Sequence, residues 1–210
     1  MGQTRRFKAF LLLLSLIASF LALSGCRAPR EDPFVSLDKK YGSGSSLPLD
    51  QYYLDSTGVK IKLKGIVLEA DPAQVEPLLN VIYSGYVTVL PFRIEKNYGH
   101  GGKKDKVAII AKIDQFALLN ELQTGSKSEA VTTAAIVKAL KDINAKTRIR
   151  ITGAGIDFVE FTFVDEVRDW PAMTQACMAI APNIVTYGTG SAKELQKELK
   201  QYNGAILWWN

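Results

Sequence analysis

The spacing of apolar residues divides the chain into a leader, a polar stretch and a region that can form a packed domain. A mostly apolar run covers residues 9–23, and a stretch rich in proline, glycine, serine and charge occupies residues 27–49. Beyond that stretch, apolar residues recur with the periods of strands and helices, which indicates a folded region with its own core. We therefore predict a leader at 1–25, a flexible tether at 26–50 and a globular domain at 51–210.

The period of the pattern predicts the type of each element in the domain. In residues 59–64 three apolar residues alternate with three lysines, so a strand there has one buried and one solvated face. Further strands are predicted at residues 86–94, 107–113, 148–152, 157–164, 183–187 and 205–209. Helices are predicted at residues 71–83, 115–123, 127–144, 169–182 and 191–202. Because strands and helices are mixed without strict alternation, we expect an α+β fold with one mixed, largely antiparallel central sheet covered by helices.

The residues around the first apolar run identify it as a leader. Three basic residues precede it, and Leu23-Ser24-Gly25-Cys26 ends it, which is the order of a secretory signal peptide. The run is also shorter than the roughly 20 apolar residues of a membrane-spanning helix. The pattern resembles that of bacterial lipoprotein precursors, and the resemblance implies cleavage before Cys26 and a lipid on that cysteine. An uncleaved anchor and an ordinary secretory signal are the alternatives.

The residue after the lipidated cysteine bears on location. Arg27 stands there, and in Gram-negative lipoproteins the lack of aspartate at this position resembles the outer-membrane sorting pattern. The resemblance then implies an outer-membrane protein that faces the periplasm. In a Gram-positive cell the same protein would lie on the outer leaflet of the cytoplasmic membrane.

The net charge changes once the leader is removed, and a lipid on Cys26 changes the pairing open to the two cysteines. Residues 1–25 contain three basic residues and no acidic ones, so the formal net charge falls from +5 to +2. Such a balance disfavours nucleic acid as a partner. If Cys26 carries lipid, Cys177 has no intramolecular partner, and its place in the apolar run 173–180 favours a buried structural thiol over a reactive nucleophile.

Two glycine-rich loops are candidate ligand sites. His100, the single histidine of the sequence, stands with Lys103 and Lys104 in a glycine-rich turn whose backbone N–H groups and positive charge suit an anion. An exposed turn is the alternative that we favour. Residues 187–193 join a predicted strand to a helix, as phosphate-binding loops do, but lack a Walker or dinucleotide motif. A structural turn is favoured there as well.

Acidic residues gather around one predicted strand and its exit. Paired carboxylates can perform acid–base chemistry or bind a hard cation. A solvated edge is the interpretation that we favour, and we predict no catalytic residue, metal ligand or cofactor. The cluster consists of Asp157, Glu160, Asp165, Glu166 and Asp169.

The chain ends in Trp208-Trp209-Asn210. Strand alternation buries one indole and leaves the other near the surface, where tryptophan favours interfaces. The candidate ligand or partner contacts are therefore His100, Lys103, Lys104, Trp208 and Trp209.

The last third of the chain resembles an uncharacterised bacterial domain family. The resemblance rests on Val159-Glu160-Phe161, Trp170-Pro171, Ala181-Pro182-Asn183-Ile184-Val185, Gly188 and the final Trp208-Trp209-Asn210. Members of that family carry Cys-Pro-Asp-Ile-Val after a helix and end in Trp-Trp-Asp. This sequence departs from the pattern at Ala181, Asn183 and Asn210. The resemblance implies a mixed fold and a domain boundary, and it implies no activity.

A lipid-tethered domain without a catalytic constellation favours a non-catalytic protein-binding function. The expected partners are the membrane, through Cys26, and another protein, either a cognate toxin or an envelope protein. By analogy of layout, our leading hypothesis is an immunity protein that neutralises an envelope-acting toxin, such as a type VI secretion phospholipase or cell-wall effector. The alternatives are an envelope assembly or scaffolding lipoprotein, and a hydrolase-type enzyme that uses the glycine-rich basic loop.

Overall fold

A seven-stranded sheet is the centre of the described residues, which are 31–42, 44, 46–97, 100–125 and 131–209 of a computed structural model. The strands are β1 Leu47–Pro48, β2 Gly65–Ala70, β3 Val89–Glu95, β4 Asp105–Ala111, β5 Ile149–Ala154, β6 Phe158–Phe163 and β7 Gly204–Trp208. Their order in the sheet is β1-β2-β4-β3-β5-β6-β7. All neighbours pair antiparallel except β3 and β5, which are parallel. The prediction of an α+β fold with one mixed, largely antiparallel sheet is confirmed.

Helices connect the strands and cover the sheet. The helices of the described residues are α1 Pro33–Leu37, α2 Leu49–Thr57, α3 Pro72–Gly85, α4 Gln115–Leu122, α5 Thr133–Lys146, α6 Trp170–Ile180 and α7 Ala192–Tyr202. Four of them, α3, α4, α6 and α7, form close to the predicted bounds. Local capping explains three of these starts, because the side chains of Asp114, Asp169 and Ser191 accept backbone N–H bonds at α4, α6 and α7.

Helix α5 begins later than predicted. The structure starts it at Thr133, where the Thr132 hydroxyl accepts a hydrogen bond from the backbone N–H of Ala135. Residues 126–130, which include the predicted start at residue 127, lie outside the described residues. The spacing of apolar residues therefore predicted which face of α5 is buried, but it did not predict the first residue of the helix.

The two faces of the sheet carry separate apolar clusters. The larger cluster joins strand residues such as Phe92 and Phe161 to residues of α2 and of α4 to α7. A smaller cluster on the opposite face joins Ile109 of β4 to Leu37 of α1 and Ile82 of α3. Because strand side chains alternate, Ile109 and its neighbour Ile110 belong to different clusters.

The described residues between Pro33 and Asp50, which were predicted to belong to the tether, are part of the packed structure. Leu37 and Leu49 are fully buried, and β1 pairs with β2. The compact unit runs from Pro33 to Asn210. The predicted domain start at residue 51 is therefore corrected to Pro33, because a few apolar anchors hold a segment whose composition is otherwise that of a linker. Residues 26–30 lie outside the described residues.

Residues 59–64 keep the predicted alternation without joining the sheet. Ile61 is buried, and Val59 and Leu63 pack against the larger cluster, whereas the three lysines are exposed. The ladder of β2 begins only at Gly65, opposite Ile110 of β4. The strand prediction was wrong because alternation reports burial on one side of an extended chain and does not require a hydrogen-bonded neighbour.

Residues 183–187 were predicted as a strand, and this prediction was also wrong. They lie in a π-helical turn, Ile184–Thr189, in which the backbone N–H of Gly190 donates to the carbonyl of Val185 at 2.9 Å. Gly190 has a φ of 77°, a conformation that glycine adopts without strain. The β-branched residues that suggested a strand are thus held in a turn by the backbone bonds around them.

Candidate functional site

A buried cluster of charged side chains lies where β3 and β5 meet. One guanidinium nitrogen of Arg93, Nη1, donates to both carboxylate oxygens of Glu160, at 3.0 and 2.8 Å. Lys96 Nζ donates to one of these oxygens at 3.2 Å, and Arg93 Nε lies 3.3 Å from Asp105 Oδ2. Two cations and two carboxylates therefore offset one another, as buried charges must.

The sheet topology brings this cluster together. The parallel pairing of β3 with β5 places Arg93 opposite Gly153, and the antiparallel pairing of β5 with β6 places Glu160 opposite the same glycine. A Cβ atom on Gly153 would lie 2.9 Å from Glu160 Oε2 and 3.0 Å from Glu160 Cβ. Glycine at this position therefore leaves the space in which the arginine and the carboxylate meet across β5.

Asn97 joins the cluster to the loop that follows β3. Its backbone N–H donates to Asp105 Oδ1 at 2.7 Å, and its side-chain amide donates to Glu95 Oε1 and to the Lys104 carbonyl, both at 2.7 Å. These bonds fix the start and the end of the loop against each other. The loop is therefore held in place by the same carboxylates that border the buried ion pairs.

Glu95 and Tyr52 form the outer edge of this network. Tyr52 Oη donates to Glu95 Oε2 at 2.5 Å. Burial alone would raise the pKa of Glu95, but hydrogen bonds from Tyr52 and Asn97 and the charges of Lys106 and Lys103 outweigh it, so the pKa is below its usual range. Burial and the bond to Glu95 raise the pKa of Tyr52. Both effects favour a neutral phenol that donates to an ionised carboxylate.

A cleft of about 550 Å³ runs along β7 and reaches the charge cluster through Lys96 and Glu160. We call it the β7 cleft. Its wall combines the last strand with the π-helical turn and α7. The residues that line it are Lys96, Glu160, Phe161, Ile184, Gly188, Thr189, Leu195, Glu198, Leu199, Tyr202, Gly204, Ala205, Ile206 and Trp208.

The two C-terminal tryptophans have different environments, as the alternation predicted. Trp209 is buried in the larger cluster, and its Nε1–H donates to the carbonyl of Ile180 at 2.6 Å. Trp208 is partly exposed and lines the β7 cleft. Its ring packs closely on Gly188, where a Cβ atom would lie 2.8 Å from Trp208 Cη2. Trp209 therefore stabilises the fold, and Trp208 is available for contact.

His100, Lys103 and Lys104 lie together in the loop between β3 and β4. All three are exposed, and His100 begins a 3₁₀ turn that includes Gly101 and Gly102 at positive φ. The loop borders Glu95 and Asp105, whereas the described residues that line the β7 cleft come from other segments apart from Lys96. The structure thus brings this candidate group near the charge cluster and away from Trp208.

The glycine-rich segment at 187–193 contributes to the cleft as a structural turn. Gly188 and Thr189 line the cleft, and the Ser191 hydroxyl caps α7 by accepting from the backbone N–H of Glu194 at 3.2 Å. Tyr187, at the start of the segment, is 72% exposed beside the cleft lining. The segment shapes one wall and presents an aromatic side chain next to it.

The prediction of a solvated acidic edge is confirmed for most of the cluster, but it was wrong for Glu160. Asp165 forms an exposed ion pair with Arg148, and Asp169 caps α6. Glu160, in contrast, is only 12% exposed and is held by Arg93 and Lys96. Its role depends on strand partners far away in sequence, which a local cluster of acidic residues does not reveal.

The sequence did not single out Arg93, Lys96 and Asp105 as site residues. One signal was present, because Arg93 is a charged residue within a strand whose other residues, apart from the final Glu95, are apolar and buried. Such a residue requires a buried counter-charge. The position of that counter-charge follows only from the order of the strands.

The remaining sequence hypotheses concern cysteine, metal and membrane. Cys177 is fully buried, and burial raises the pKa of its thiol to about 12, which confirms an inert structural cysteine. The described ranges contain no group of three or more histidine, cysteine or acidic side chains that could hold a metal ion. Within the same ranges, no helix has the length and apolar character needed to cross a membrane. Cys26 and Asn210 lie outside the described residues.

Comparison with known proteins gives one match. Residues 106–210, half of the chain, match a family model described as a domain of unknown function, DUF4253. This stretch contains the segment that resembles an uncharacterised bacterial family. No curated protein and no solved structure matches the chain.

Proposed function

Since the chain belongs to the DUF4253 family, whose description assigns no activity, we propose a function from the geometry of its β7 cleft. The protein is a lipid-anchored envelope protein that acts as a non-catalytic protein-binding module. Its partner contacts β7 and the aromatic side chains beside it. The observation that carries this proposal is that β7 is an edge strand, with no strand paired on its outer side among the described residues.

The two edges of the sheet differ in a way that favours binding at β7. β1, at one edge, is two residues long and ends in a proline, which is a common protection against unwanted strand pairing. β7, at the other edge, is five residues long and contains no charged residue and no proline. Strands of this second kind accept an added strand from a partner, and the main-chain bonds then provide affinity.

The side chains along this edge suit a protein partner. Tyr202 is 68% exposed at the cleft, Tyr187 is exposed beside it, and Trp208 is partly exposed within it. Tyrosine and tryptophan supply much of the binding energy at protein interfaces, because each covers a large area at a small entropic cost. Tyr202, Trp208 and residues 204–206 of β7 line the same cleft.

The charges at the inner end of the cleft favour binding over catalysis. Both carboxylate oxygens of Glu160 accept hydrogen bonds from Arg93, and Oε1 also accepts from Lys96, so this carboxylate is already occupied. Such a group is a poor general base, since a base must be free to accept a proton from its substrate. Lys96 and Glu160 instead present a fixed pattern of charge that a partner can complement.

The sequence of the leader supports the proposal of a lipid anchor. The basic start, the apolar run and Leu23-Ser24-Gly25-Cys26 together favour a lipid on Cys26 and a location in the cell envelope, at the outer membrane in a Gram-negative cell. Within that setting, a small tethered domain with an open binding edge suits an immunity protein. The toxin would be an envelope-acting one, such as a type VI secretion phospholipase or cell-wall effector.

The test is protection from a toxin. The full-length chain is co-expressed with the product of the adjacent reading frame directed to the periplasm, and growth is measured. We expect the parent chain to protect and Trp208→Ala and Tyr202→Ala to lose most of that protection. Leu54→Ala, which removes an apolar side chain that is 51% exposed on α2, is the matched control and should protect fully.

Each other outcome favours a different function. Loss of protection in the Leu54 variant alone, or equal protection by all variants, would contradict binding at β7. A permeability defect in a deletion strain that meets no toxin would favour envelope assembly. If replacing His100 and Lys103 abolishes protection while Trp208→Ala does not, the result would favour an enzyme that uses the basic loop.

A further inference from the structure

The parallel strands β3 and β5 separate towards their first residues and leave an opening. Their pairing is at Arg93 and Gly153, near the ends of both strands. Earlier in β5, the Gln115 side chain takes the place of a neighbouring strand, since it donates to the Ile149 carbonyl at 3.1 Å and accepts from the Ile151 N–H at 2.9 Å. A cavity of about 430 Å³ lies at this opening, which we call the β3–β5 wedge.

The side chains around the wedge are mostly polar and include three cations. None of them also lines the β7 cleft, so the inference goes beyond the proposed function. The residues that line the wedge are Tyr83, Leu90, Lys112, Ile113, Asp114, Gln115, Asn144, Arg148, Ile149, Arg150 and Val164.

The carboxylates near the wedge are committed to other groups. Asp114 Oδ1 accepts from the backbone N–H groups of Phe116 and Ala117 and so caps α4. Asp165 accepts from Nε and Nη2 of Arg148, at 2.7 and 2.6 Å. Within the described part of the chain, this leaves Lys112 and Arg150 without a carboxylate partner.

Tyr83 holds these two cations close to each other. Lys112 Nζ lies 4.5 Å and Arg150 Cζ lies 4.9 Å from the centre of the Tyr83 ring. Cation–π contacts of this kind orient both side chains. The two positive charges are therefore held within about 10 Å of one another at one opening, where their mutual repulsion favours an anion between them.

Arg150 also has an unused donor. Its Nη2 donates to Asn80 Oδ1 at 2.8 Å, but its Nε is buried and has no hydrogen-bond acceptor among the described residues. A buried donor without an acceptor is unfavourable, and a ligand oxygen would remove that cost. Because a guanidinium presents parallel N–H groups, it suits the paired oxygens of an oxyanion.

We propose that the β3–β5 wedge binds a phosphate ester group through Arg150 and Lys112, and that the ring of Tyr83 orients both cations. Two cations that line one cavity suit a phosphate better than a singly charged carboxylate. The cavity is also larger than one phosphate and leaves space for the group esterified to it. The ester is either a free small molecule or the headgroup of an anionic phospholipid, and both share this chemistry.

Calorimetric titration of the full-length chain in neutral detergent at low salt tests the free source, with sn-glycerol 3-phosphate and inorganic phosphate as probes. Flotation with phosphatidylcholine vesicles, with and without phosphatidylglycerol, tests the lipid source. With whichever probe binds, we expect Arg150→Gln to weaken binding about tenfold or more. Arg150→Lys should weaken binding less, because it loses the forked geometry of the guanidinium but keeps the charge. Lys112→Ala should weaken binding about threefold to tenfold.

Lys138→Ala is the matched control, because Lys138 is an exposed lysine on α5 that pairs with Asp142. It should change the affinity by less than about twofold, because Lys138 does not line the wedge and Asp142 offsets its charge. Binding to the ester identifies a small-molecule ligand, and binding only to phosphatidylglycerol vesicles identifies a lipid headgroup. The proposal is overturned if neither probe binds, or if Lys138→Ala weakens binding as much as the wedge variants do. If Arg150→Gln lowers the melting temperature, Arg150→Lys and Lys112→Ala decide the question.

Discussion

Arg93 on β3 and Glu160 on β6 are joined by hydrogen bonds that cross the strand between them. Nη1 of Arg93 lies 3.0 and 2.8 Å from the two oxygens of the carboxylate, and the side chains are only 5% and 12% exposed. This pair connects the two antiparallel parts of the sheet at the place where β3 and β5 run parallel. Its contribution to stability can be measured directly.

Arg93→Met should lower the free energy of unfolding by about 3–5 kcal/mol, because it leaves the buried carboxylate of Asp105 without a counter-charge and leaves Glu160 with Lys96 alone. Urea unfolding at neutral pH measures this loss. Arg148→Met is the matched control, since it removes the same group from an exposed ion pair with Asp165. Its effect should be near the limit of measurement. Equal losses in the two variants would contradict a special role for the buried pair.

Gly153→Ala should lower the free energy of unfolding by about 1–3 kcal/mol, because the new methyl group overlaps Glu160 and must displace it. Gly85→Ala serves as the control, because Gly85 ends α3 and a Cβ atom there meets nothing within 4 Å. That substitution should be neutral or slightly stabilising. Thermal unfolding of both variants checks the prediction, and a stable Gly153 variant would show that the charge cluster has more room than its geometry implies.

The bond between Tyr52 and Glu95 should make stability depend on pH. The pKa of Glu95 is below its usual range in the folded state, so its stabilisation is complete above the usual glutamate pKa of about 4.3 and is lost as the pH falls through the folded value. Tyr52→Phe removes one of the bonds responsible. The difference in unfolding free energy between parent and variant should therefore be largest near neutral pH and shrink below about pH 4.

Tyr202→Phe is the control for this pH series, because its hydroxyl belongs to an exposed side chain on α7. Its difference from the parent should be small at every pH. A Tyr52 variant whose deficit stays constant from pH 7 to pH 3 would contradict the assignment to Glu95.

Thiol counting tests both the burial of Cys177 and the lipid on Cys26. The chain purified from membranes should show no thiol that reacts with a disulfide reagent at pH 8, because burial raises the pKa of Cys177 to about 12 and excludes the reagent. After unfolding, one thiol should react. Two reactive thiols would mean that Cys26 carries no lipid, and a thiol that reacts in the folded chain would contradict the buried position of Cys177.

Elements that depend on neighbouring residues were predictable from the sequence. The starts of α6 and α7 follow from Asp169 and Ser191, whose side chains bond to backbone N–H groups three residues away. The pattern of residues 157–164 predicted a strand, and buried and partly exposed side chains alternate along β6. The different environments of Trp208 and Trp209 follow from the same rule.

The candidate site was harder to predict because its residues meet through the sheet order. Arg93 and Glu160 are 67 positions apart, and the two become neighbours only through the parallel pairing of β3 with β5. The sequence around Glu160 contains other acidic residues, so a local interpretation assigned it to a solvated edge. Likewise, Leu37 and Leu49 anchor a segment whose composition otherwise indicates a linker.

The place of β3 in the sheet has a consequence for truncation of this chain. The stretch that matches the family starts within β4 and includes β5, β6 and β7, yet β3, which separates β4 from β5, precedes that stretch. A fragment that begins at residue 106 would lack the strand that joins its own sheet segments and would expose the apolar residues that β3 covers. The cooperative folding unit therefore extends further towards the N-terminus than the similarity in sequence does.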